Sequence, residues 1–206
     1  MRWDIQILKK CFPSILFNTV DESIHLTFDD GPHPIATPLI LQELKGRNIQ
    51  ATFFLLGQNV QKFPDLVRQI HTEGHQIGNH SFTHANLIFK NKAFLQDEIL
   101  RTMEILEKTI GTHSQYFRPP FGYFTWTTLN VLRKIGLNCV LWNVDSKDYR
   151  LNSVAEISRR VIPKTTKGSI LLFHDNNRTS SRVQTYFPIL LDTLMSKGFN
   201  FKTLSI

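Results

Sequence analysis

The stretch Ile24-His25-Leu26-Thr27-Phe28-Asp29-Asp30-Gly31-Pro32 combines a short apolar run with two adjacent aspartates. Its first five residues favour a short β-strand, and the Gly-Pro pair that follows the two aspartates is a strong break. The strand therefore ends in two adjacent carboxylates, and neither carboxylate has an obvious packing role.

Further short apolar runs alternate with helical patterns along the rest of the chain. Predicted strands cover residues 51–56, 115–117, 138–142, 169–173 and 199–201. Predicted helices cover residues 38–45, 64–73, 92–110, 127–135, 153–161 and 186–197. About seven strand-then-helix units predict an α/β fold with parallel strands and crossover helices. The strands are continuous apolar runs, which indicates burial on both faces, as in a barrel or a doubly wound sheet.

Length and composition predict one domain spanning residues 1–206. The hydrophobic fraction is 41% and the charged fraction is 20%, both ordinary for a globular protein, and we find no repeat or linker. Cys11 and Cys139 are the two cysteines, and no Cys-x-x-Cys pair exists. This excludes a disulfide scaffold and a thiolate zinc site. Both are predicted to be small buried hydrophobes, with a bridge between them as the alternative.

The formal net charge of +7 favours anionic partners, but the basic residues are spread along the chain. A solvated basic surface is therefore predicted, and a nucleic-acid partner is not expected. No apolar run approaches the length of a membrane span, and no targeting segment is convincing. A cytoplasmic location is the default prediction.

A candidate metal site begins at His80-Ser81-Phe82-Thr83-His84. Two His at i and i+4 share one face of a helical turn, so both imidazoles can reach one ion. Gly74, Gly78 and Asn79 just before them predict a tightly bent loop. Asp30 is the candidate third ligand, because adjacent carboxylates repel unless a cation or an Arg offsets them. Taken alone, the His pair is a weak signal, because surface His at that spacing are common, and the aspartates are equally consistent with a polar turn.

Two His and one carboxylate form an open site with room for water and substrate. A metal in such a site lowers the pKa of its water and polarises a carbonyl. Hydrolysis also needs a base and an acid. Asp29 is the candidate base, Arg118 its orienting partner, and His174 the candidate acid.

Five stretches carry a resemblance to a known family. They are Thr27-Phe28-Asp29-Asp30-Gly31-Pro32, His80-Ser81-Phe82-Thr83-His84, Arg118-Pro119-Pro120-Phe121-Gly122, Asp145-Ser146-Lys147-Asp148-Tyr149 and Leu172-Phe173-His174. They resemble, in order, the motifs of the polysaccharide deacetylases, which are the NodB-homology domains of carbohydrate esterase family 4. The resemblance runs from about residue 23 to the end, and it implies a distorted (β/α)7 barrel.

The resemblance also implies a metal triad of Asp30, His80 and His84, with Ser81 steadying the His loop. One divalent ion is expected, Zn²⁺ by preference, with Co²⁺ or another divalent ion as alternatives.

In the same comparison Asp29 matches the base held by Arg118. His174 matches the general acid, and Asp145 is expected to orient and tune it.

Three further residues match the substrate side of the site. The backbone N–H of Phe121 is expected to help polarise the oxyanion, and Leu172 is expected to line the acetyl-methyl pocket. Phe121 stands where the family often has Tyr, and Tyr149 where it often has Trp. These departures affect the predicted shape of the sugar site rather than its chemistry.

The predicted function is N-deacetylation of an acetylated glycan. O-deacetylation of an acetylated polysaccharide by the same site is the alternative. A non-catalytic carbohydrate-binding protein is a third class, but it would be expected to have lost Asp29, a metal ligand or His174, and none is lost.

The other His and the Trp residues are predicted to be structural or solvated. His33 lies nearest the site in sequence among the remaining His. Trp3, Trp126 and Trp142 are expected to pack in the core or at the barrel rim.

Overall fold

The computed structural model describes residues 5–151 and 153–205. Eight strands are present in this part of the chain, at Ile15–Leu16 (β1), His25–Asp29 (β2), Thr52–Leu55 (β3), Gln76–Asn79 (β4), Tyr116–Phe117 (β5), Asn138–Val140 (β6), Val144–Asp145 (β7) and Ile170–His174 (β8). The α-helices are Ile5–Cys11 (α1), Ala36–Gly46 (α2), Gly57–Lys62 (α3), Pro64–Thr72 (α4), Lys92–Ile110 (α5), Trp126–Ile135 (α6), Val154–Val161 (α7) and Val183–Ser196 (α8).

All eight strands lie in one sheet, in the order β1-β6-β5-β4-β3-β2-β8-β7, and every pair is parallel. β7 is at one end of this order and β6 is next to the other end. The two strands nevertheless belong to one stretch of chain, residues 138–145. β6 pairs with β1 and β5, whereas β7 pairs with β8. The sheet is therefore curled into an incompletely closed barrel, and the predicted distorted parallel barrel is confirmed.

β2 illustrates the two faces of the strands, one packed against the helices and the other facing the barrel interior. Successive side chains of a strand point to opposite faces. Phe28 packs outward against Phe53 at 4.9 Å, Phe173 at 5.9 Å and Phe187 of α8 at 5.4 Å between ring centroids. The alternate residue Asp29 points into the barrel. Apolar packing against the helices thus holds the strand whose other face carries the chemistry.

Six elements differ between the sequence prediction and the structure. Residues 76–79 form strand β4 rather than a bent loop, because they pair with β3 and β5, and Gly78 leaves room for the Phe54 ring. The predicted strand 199–201 forms a single bridge between Ile24 and Phe201. α1, β1, α3 and β7 were not predicted, since each is too short for a clear periodic pattern.

Other predictions concern single residues. Trp126 is 67% exposed, so the expected core placement is wrong. Trp3 lies outside the described residues. Both cysteines are free, Cys139 buried as predicted and Cys11 exposed. In the described part of the chain, no helix combines the length and apolar character needed to cross a membrane.

The packing at β4 generates a stability prediction. A Cβ added at Gly78 would lie 2.3 Å from Cδ1 of the buried Phe54 ring. Gly78→Ala should therefore lower the free energy of unfolding by about 1–3 kcal/mol. Gly46→Ala is the matched control, because its Cβ would meet no atom within 4 Å and it ends a helix. That variant should be neutral or more stable by up to about 1 kcal/mol. Urea unfolding of both variants measures the difference, and equal effects would contradict the packing argument.

Candidate active site

A cavity of about 940 Å³ lies at the carboxyl ends of the strands. This is the end where a parallel barrel presents its loops and collects functional side chains. All the predicted metal ligands line the cavity, as do Asp29, Asp145 and His174, together with the predicted substrate-side residues Phe121, Leu172 and Tyr149. Arg118 lies behind Asp29 and is fully buried.

The two carboxylates of Asp29 and Asp30 face the same space although they are adjacent in sequence. Asp30 has a φ of 77°, and this left-handed backbone breaks the alternation of the strand. Asp29 Oδ2 lies 3.7 Å from His80 Nε2, and Asp30 Oδ1 lies 3.6 Å from the same atom. One imidazole therefore contacts both carboxylates.

Arg118 binds Asp29 from inside the barrel. Its Nη1 donates to Asp29 Oδ1 and to Thr27 Oγ1, both at 2.7 Å. Nη2 donates to the carbonyl oxygen of Leu141 at 2.9 Å, and Nε to that of Val140 at 3.3 Å. Burial lowers the pKa of the Arg118 guanidinium, and the charge of Asp29 opposes that shift. The buried pair leaves Asp29 Oδ2 as the oxygen directed toward the cavity.

The His-containing segment is a loop after β4, so its predicted helical turn is wrong. Ser81 and His84 have φ values of 69° and 62°, which bend the chain back on itself. Ser81 Oγ accepts a hydrogen bond from the His84 N–H at 3.1 Å, in keeping with its expected steadying role. The bend, rather than a helical period, brings both imidazoles to Asp30.

Glu98 holds this loop from α5 and was missed by sequence reasoning. Its Oε2 accepts hydrogen bonds from the N–H groups of Phe82 at 3.1 Å and Thr83 at 2.8 Å. Its Oε1 accepts from the Thr83 hydroxyl at 2.9 Å. Glu98 sits inside an amphipathic helix pattern, where a charged residue normally indicates a solvated face, so its burial carries no local sequence signal.

The orientation of His80 suits a metal ligand. Its Nδ1 lies 2.7 Å from the carbonyl oxygen of Arg118, so Nδ1 carries the proton and donates it. Nε2 is then left with its lone pair toward Asp30. A ligating His commonly has its second nitrogen held by a carbonyl or carboxylate in this way.

The Asp30 carboxyl is arranged for a cation. Oδ2 accepts a hydrogen bond from Asn176 Nδ2 at 2.7 Å, whereas the buried Oδ1 has no hydrogen-bond partner. Burial raises the pKa of Asp30, but the imidazoles of His80 and His84 lower it by more, so the net shift is strongly downward. An ionised carboxylate with an open oxygen in a buried place calls for positive charge.

The ligand atoms of Asp30, His80 and His84 fit one metal ion. These atoms all lie within 4.8 Å of one another, and Asp30 Oδ1 is 3.2 Å from His84 Nε2 and 3.6 Å from His80 Nε2. Tetrahedral ligands at about 2.0–2.1 Å from zinc are about 3.3 Å apart. Asp30 Oδ1 thus lies from each imidazole nitrogen at about the spacing that such an ion requires.

His174 contacts Asp148, not Asp145. His174 Nδ1 lies 2.8 Å from Asp148 Oδ1, and the His174 N–H donates to Asp148 Oδ2 at 2.9 Å. Asp145 instead accepts from the Lys147 N–H at 2.9 Å and lies 4.0 Å from Arg160. The predicted orienting contact of Asp145 is therefore wrong. The turn at Lys147, with φ of 55°, directs the second aspartate of the motif inward.

Asp148 also controls the charge of His174. Burial lowers the pKa of His174, but the carboxylates of Asp148, Asp29 and Asp30 raise it to about 9. Asp148 is fully buried and accepts a hydrogen bond from the Tyr186 hydroxyl at 2.9 Å, which fixes its position. The imidazole is consequently held as a cation at neutral pH, with Nε2 as its free donor.

Aromatic rings shape the rest of the cavity. The Tyr149 ring lies 4.8 Å from the His174 ring, and the Phe121 ring lies 4.5 Å from the His84 ring. Phe121 has a φ of 61°, and Trp142 and the buried Leu172 complete this wall. The aromatic substitutions noted in the sequence thus lie directly against the metal-site and acid imidazoles.

His33 is a rim residue. It lines the cavity, and its Nε2 lies 2.8 Å from Asn177 Oδ1. Its Nδ1 accepts hydrogen bonds from the N–H groups of Ile35 and Ala36 at the start of α2. His33 therefore has a structural role, as predicted.

Similarity to known proteins agrees with this geometry. A family model described as "Polysaccharide deacetylase" matches residues 18–140. A peptidoglycan-N-acetylglucosamine deacetylase of Bacillus cereus is 38% identical over 183 residues, covering 88% of this chain and 66% of the relative. A chitooligosaccharide deacetylase of Azorhizobium caulinodans is 37% identical over 154 residues, covering 74% of this chain and 73% of that relative. The chain thus spans slightly less than two thirds of the length of the Bacillus cereus relative.

A solved structure extends the similarity to the whole fold. The crystal structure of the Bc1960 peptidoglycan N-acetylglucosamine deacetylase superposes with a TM-score of 0.89 at 34% identity, covering 93% of this chain and 91% of that one. This chain therefore belongs to the polysaccharide deacetylase family.

Proposed function

We propose that this protein is a metal-dependent hydrolase that removes acetyl groups from N-acetylated sugars. The observation that carries the proposal is that the adjacent residues Asp29 and Asp30 have different partners. Asp29 is bound by Arg118, whereas Asp30 faces two imidazoles with an open oxygen. The names of the relatives, which are deacetylases of N-acetylglucosamine-containing glycans, support the same reaction.

Asp30, His80 and His84 would hold the ion, with Zn²⁺ as the proposed metal. When bound, the ion would supply an acidified water and polarise the acetyl carbonyl. Asp29 Oδ2 would take the proton of the attacking water. Because Arg118 occupies Oδ1, the base is fixed in one orientation and needs no reorganisation.

His174 would donate the proton that the leaving amine requires. The pKa of about 9 keeps the imidazole protonated at neutral pH, and Asp148 holds Nδ1 so that Nε2 faces the cavity. An amine leaves poorly unless it is protonated as the C–N bond breaks, so this strongly held acid favours amide over ester substrates. Leu172 would contact the acetyl methyl, and Tyr149 would pack beside the acid.

The reaction is tested by acetate release from N-acetylglucosamine oligomers, with O-acetylated xylan in parallel and Zn²⁺ added after chelation. Asp29→Asn should lower acetate release from the N-acetyl oligomers by about 10²–10⁴-fold, because the base is lost. Zn²⁺ binding should survive, since Asp29 is not a ligand. Asp192→Asn is the matched control, because this exposed carboxylate pairs with Arg47 on the surface. Faster acetate release from the O-acetyl substrate would favour the esterase alternative, and near wild-type activity of Asp29→Asn would exclude Asp29 as the base.

A pH prediction follows from His174. An acid must be protonated, so activity should fall as pH rises through its pKa. Asp148 contributes most to the raised pKa, and Asp148→Asn should therefore move the alkaline limb of kcat/KM to lower pH by about 1–3 units. Asp145→Asn, which removes a carboxylate without a His174 contact, should leave the limb in place. An unshifted limb in Asp148→Asn would show that another group is the acid.

A further inference from the structure

The cavity has two unlike halves. Loops after β5, β6 and β7 supply an aromatic half, formed by Phe121, Tyr123, Trp142 and Tyr149. The helix after β3 and the loops after β2 and β8, strands that are neighbours in the sheet, supply a polar half with Lys62, His33 and Arg178. His80 and His84 follow β4, which lies between the halves in the strand order, and Asp30 after β2 faces them from the polar half. A bound glycan would therefore meet rings on one side and cationic side chains on the other.

Lys62 and Arg178 are exposed, and neither forms an ion pair with any carboxylate of the described residues. The Lys62 ammonium lies 5.1 Å from the Phe63 ring centroid. The three acidic residues of the cavity are engaged elsewhere: Asp29 with Arg118, Asp30 with the His pair and Asp145 with Arg160. Two positive charges in the lining of one cavity thus remain available to an anion.

The size of the cavity also bears on its occupant. Sites for drug-sized ligands are about 300–1,000 Å³, and this cavity of about 940 Å³ exceeds the needs of one acetamido sugar. A neighbouring sugar or its substituent would therefore reach the half that contains Lys62 and Arg178.

We propose that Lys62 and Arg178 form a subsite for a carboxylate carried by the glycan next to the acetylated sugar. The inference rests on the proposed function and narrows its substrate class to acidic glycans. The Arg guanidinium can bind a carboxylate through two parallel N–H groups, and the Lys ammonium adds a flexible point charge.

The test compares two oligosaccharides of equal length. One is a neutral N-acetylglucosamine oligomer, and in the other alternate sugars carry a carboxylate substituent. Wild-type kcat/KM should favour the acidic oligomer, and raising the salt concentration should reduce this preference. In the Lys62→Gln/Arg178→Gln double variant, the acidic-to-neutral ratio should fall by roughly fivefold to tenfold, as expected for two exposed charge contacts. Lys197→Gln, an exposed lysine at the end of α8, should leave the ratio unchanged.

The two proposals fail in different ways. If both oligomers are deacetylated but the double variant keeps the wild-type ratio, the subsite is wrong and the deacetylase assignment stands. If neither oligomer is deacetylated, calorimetric binding decides. A preference for the acidic oligomer that is lost in the double variant supports the subsite alone, and equal binding of both oligomers rejects it.

A separate observation concerns Asn176 in the loop after β8. Its Nδ2 donates to Asp30 Oδ2 at 2.7 Å, and its Oδ1 accepts from the Arg178 N–H at 2.8 Å. The Asn176 N–H donates to Thr179 Oγ1 at 3.2 Å, and that hydroxyl donates to the His174 carbonyl oxygen at 2.8 Å. The side-chain amide is thus fixed with its N–H groups toward Asp30.

We infer that Asn176 is a positioning residue for the metal site. It occupies one carboxylate oxygen of Asp30 and leaves the buried Oδ1, which has no hydrogen bond, to face His80 and His84. Partners of this kind commonly strengthen metal affinity by 10–100-fold. Through Asn176, the loop that follows His174 therefore contributes to the metal affinity of the site.

Zn²⁺ affinity, measured by competition with a chelating dye, tests this role. Asn176→Ala should weaken Zn²⁺ binding by about 10–100-fold without changing the melting temperature of the metal-free protein. Asn176→Ser keeps a hydroxyl to accept from the Arg178 N–H but is too short to reach Asp30, so it should weaken binding equally. Asn177→Ala is the matched control and should leave the affinity unchanged. Affinities of both Asn176 variants within twofold of wild type would overturn the inference, whatever their melting temperatures.

Discussion

The buried ion pair between Arg118 and Asp29 is the interaction on which fold and site both depend. A guanidinium without solvent contact must be balanced by charge and hydrogen-bond acceptors. Asp29, Thr27 and the carbonyl groups of Val140 and Leu141 provide them. These acceptors belong to β2 and to the 138–145 stretch that connects the two ends of the sheet. The cation therefore links strands across the interior of the barrel, and removing it would leave the base uncompensated.

The same pair explains how two adjacent carboxylates do different work. Asp29 is tied to the barrel interior, whereas Asp30 is turned by its left-handed backbone toward the loops. The carbonyl oxygen of Arg118 also accepts from His80 Nδ1, so one residue orients the base through its side chain and a metal ligand through its backbone. Changes at position 118 should consequently affect the base and the metal site together.

The strand-end chemistry could be predicted from sequence because carboxylates, His and Arg after apolar runs leave few structural explanations. β4 could not be predicted, since Gln76-Ile77-Gly78-Asn79 has little strand propensity and its place is set by pairing with β3 and β5. Asp145 was the predicted partner of His174, but the turn at Lys147 brings Asp148 of the same motif to the imidazole instead. Glu98 and Asn176 act on loops far from them in the chain, so no local pattern marks their roles.

The backbone of the site indicates why these loops need a rigid barrel. Six non-glycine residues in the described chain have positive φ, and all but Asn48 follow strands at the cavity end: Asp30, Ser81, His84, Phe121 and Lys147. Such a conformation costs about 1–3 kcal/mol per residue where surrounding structure does not relieve it. Glycine would adopt it freely, but glycine at 30 or 84 would remove a proposed metal ligand, and at 121 the ring beside His84. Residues whose side chains the proposed chemistry needs are thus held at positive φ, a conformation that non-glycine residues disfavour. The apolar packing of Phe28, Phe53, Phe173 and Phe187 behind the strands offsets that cost.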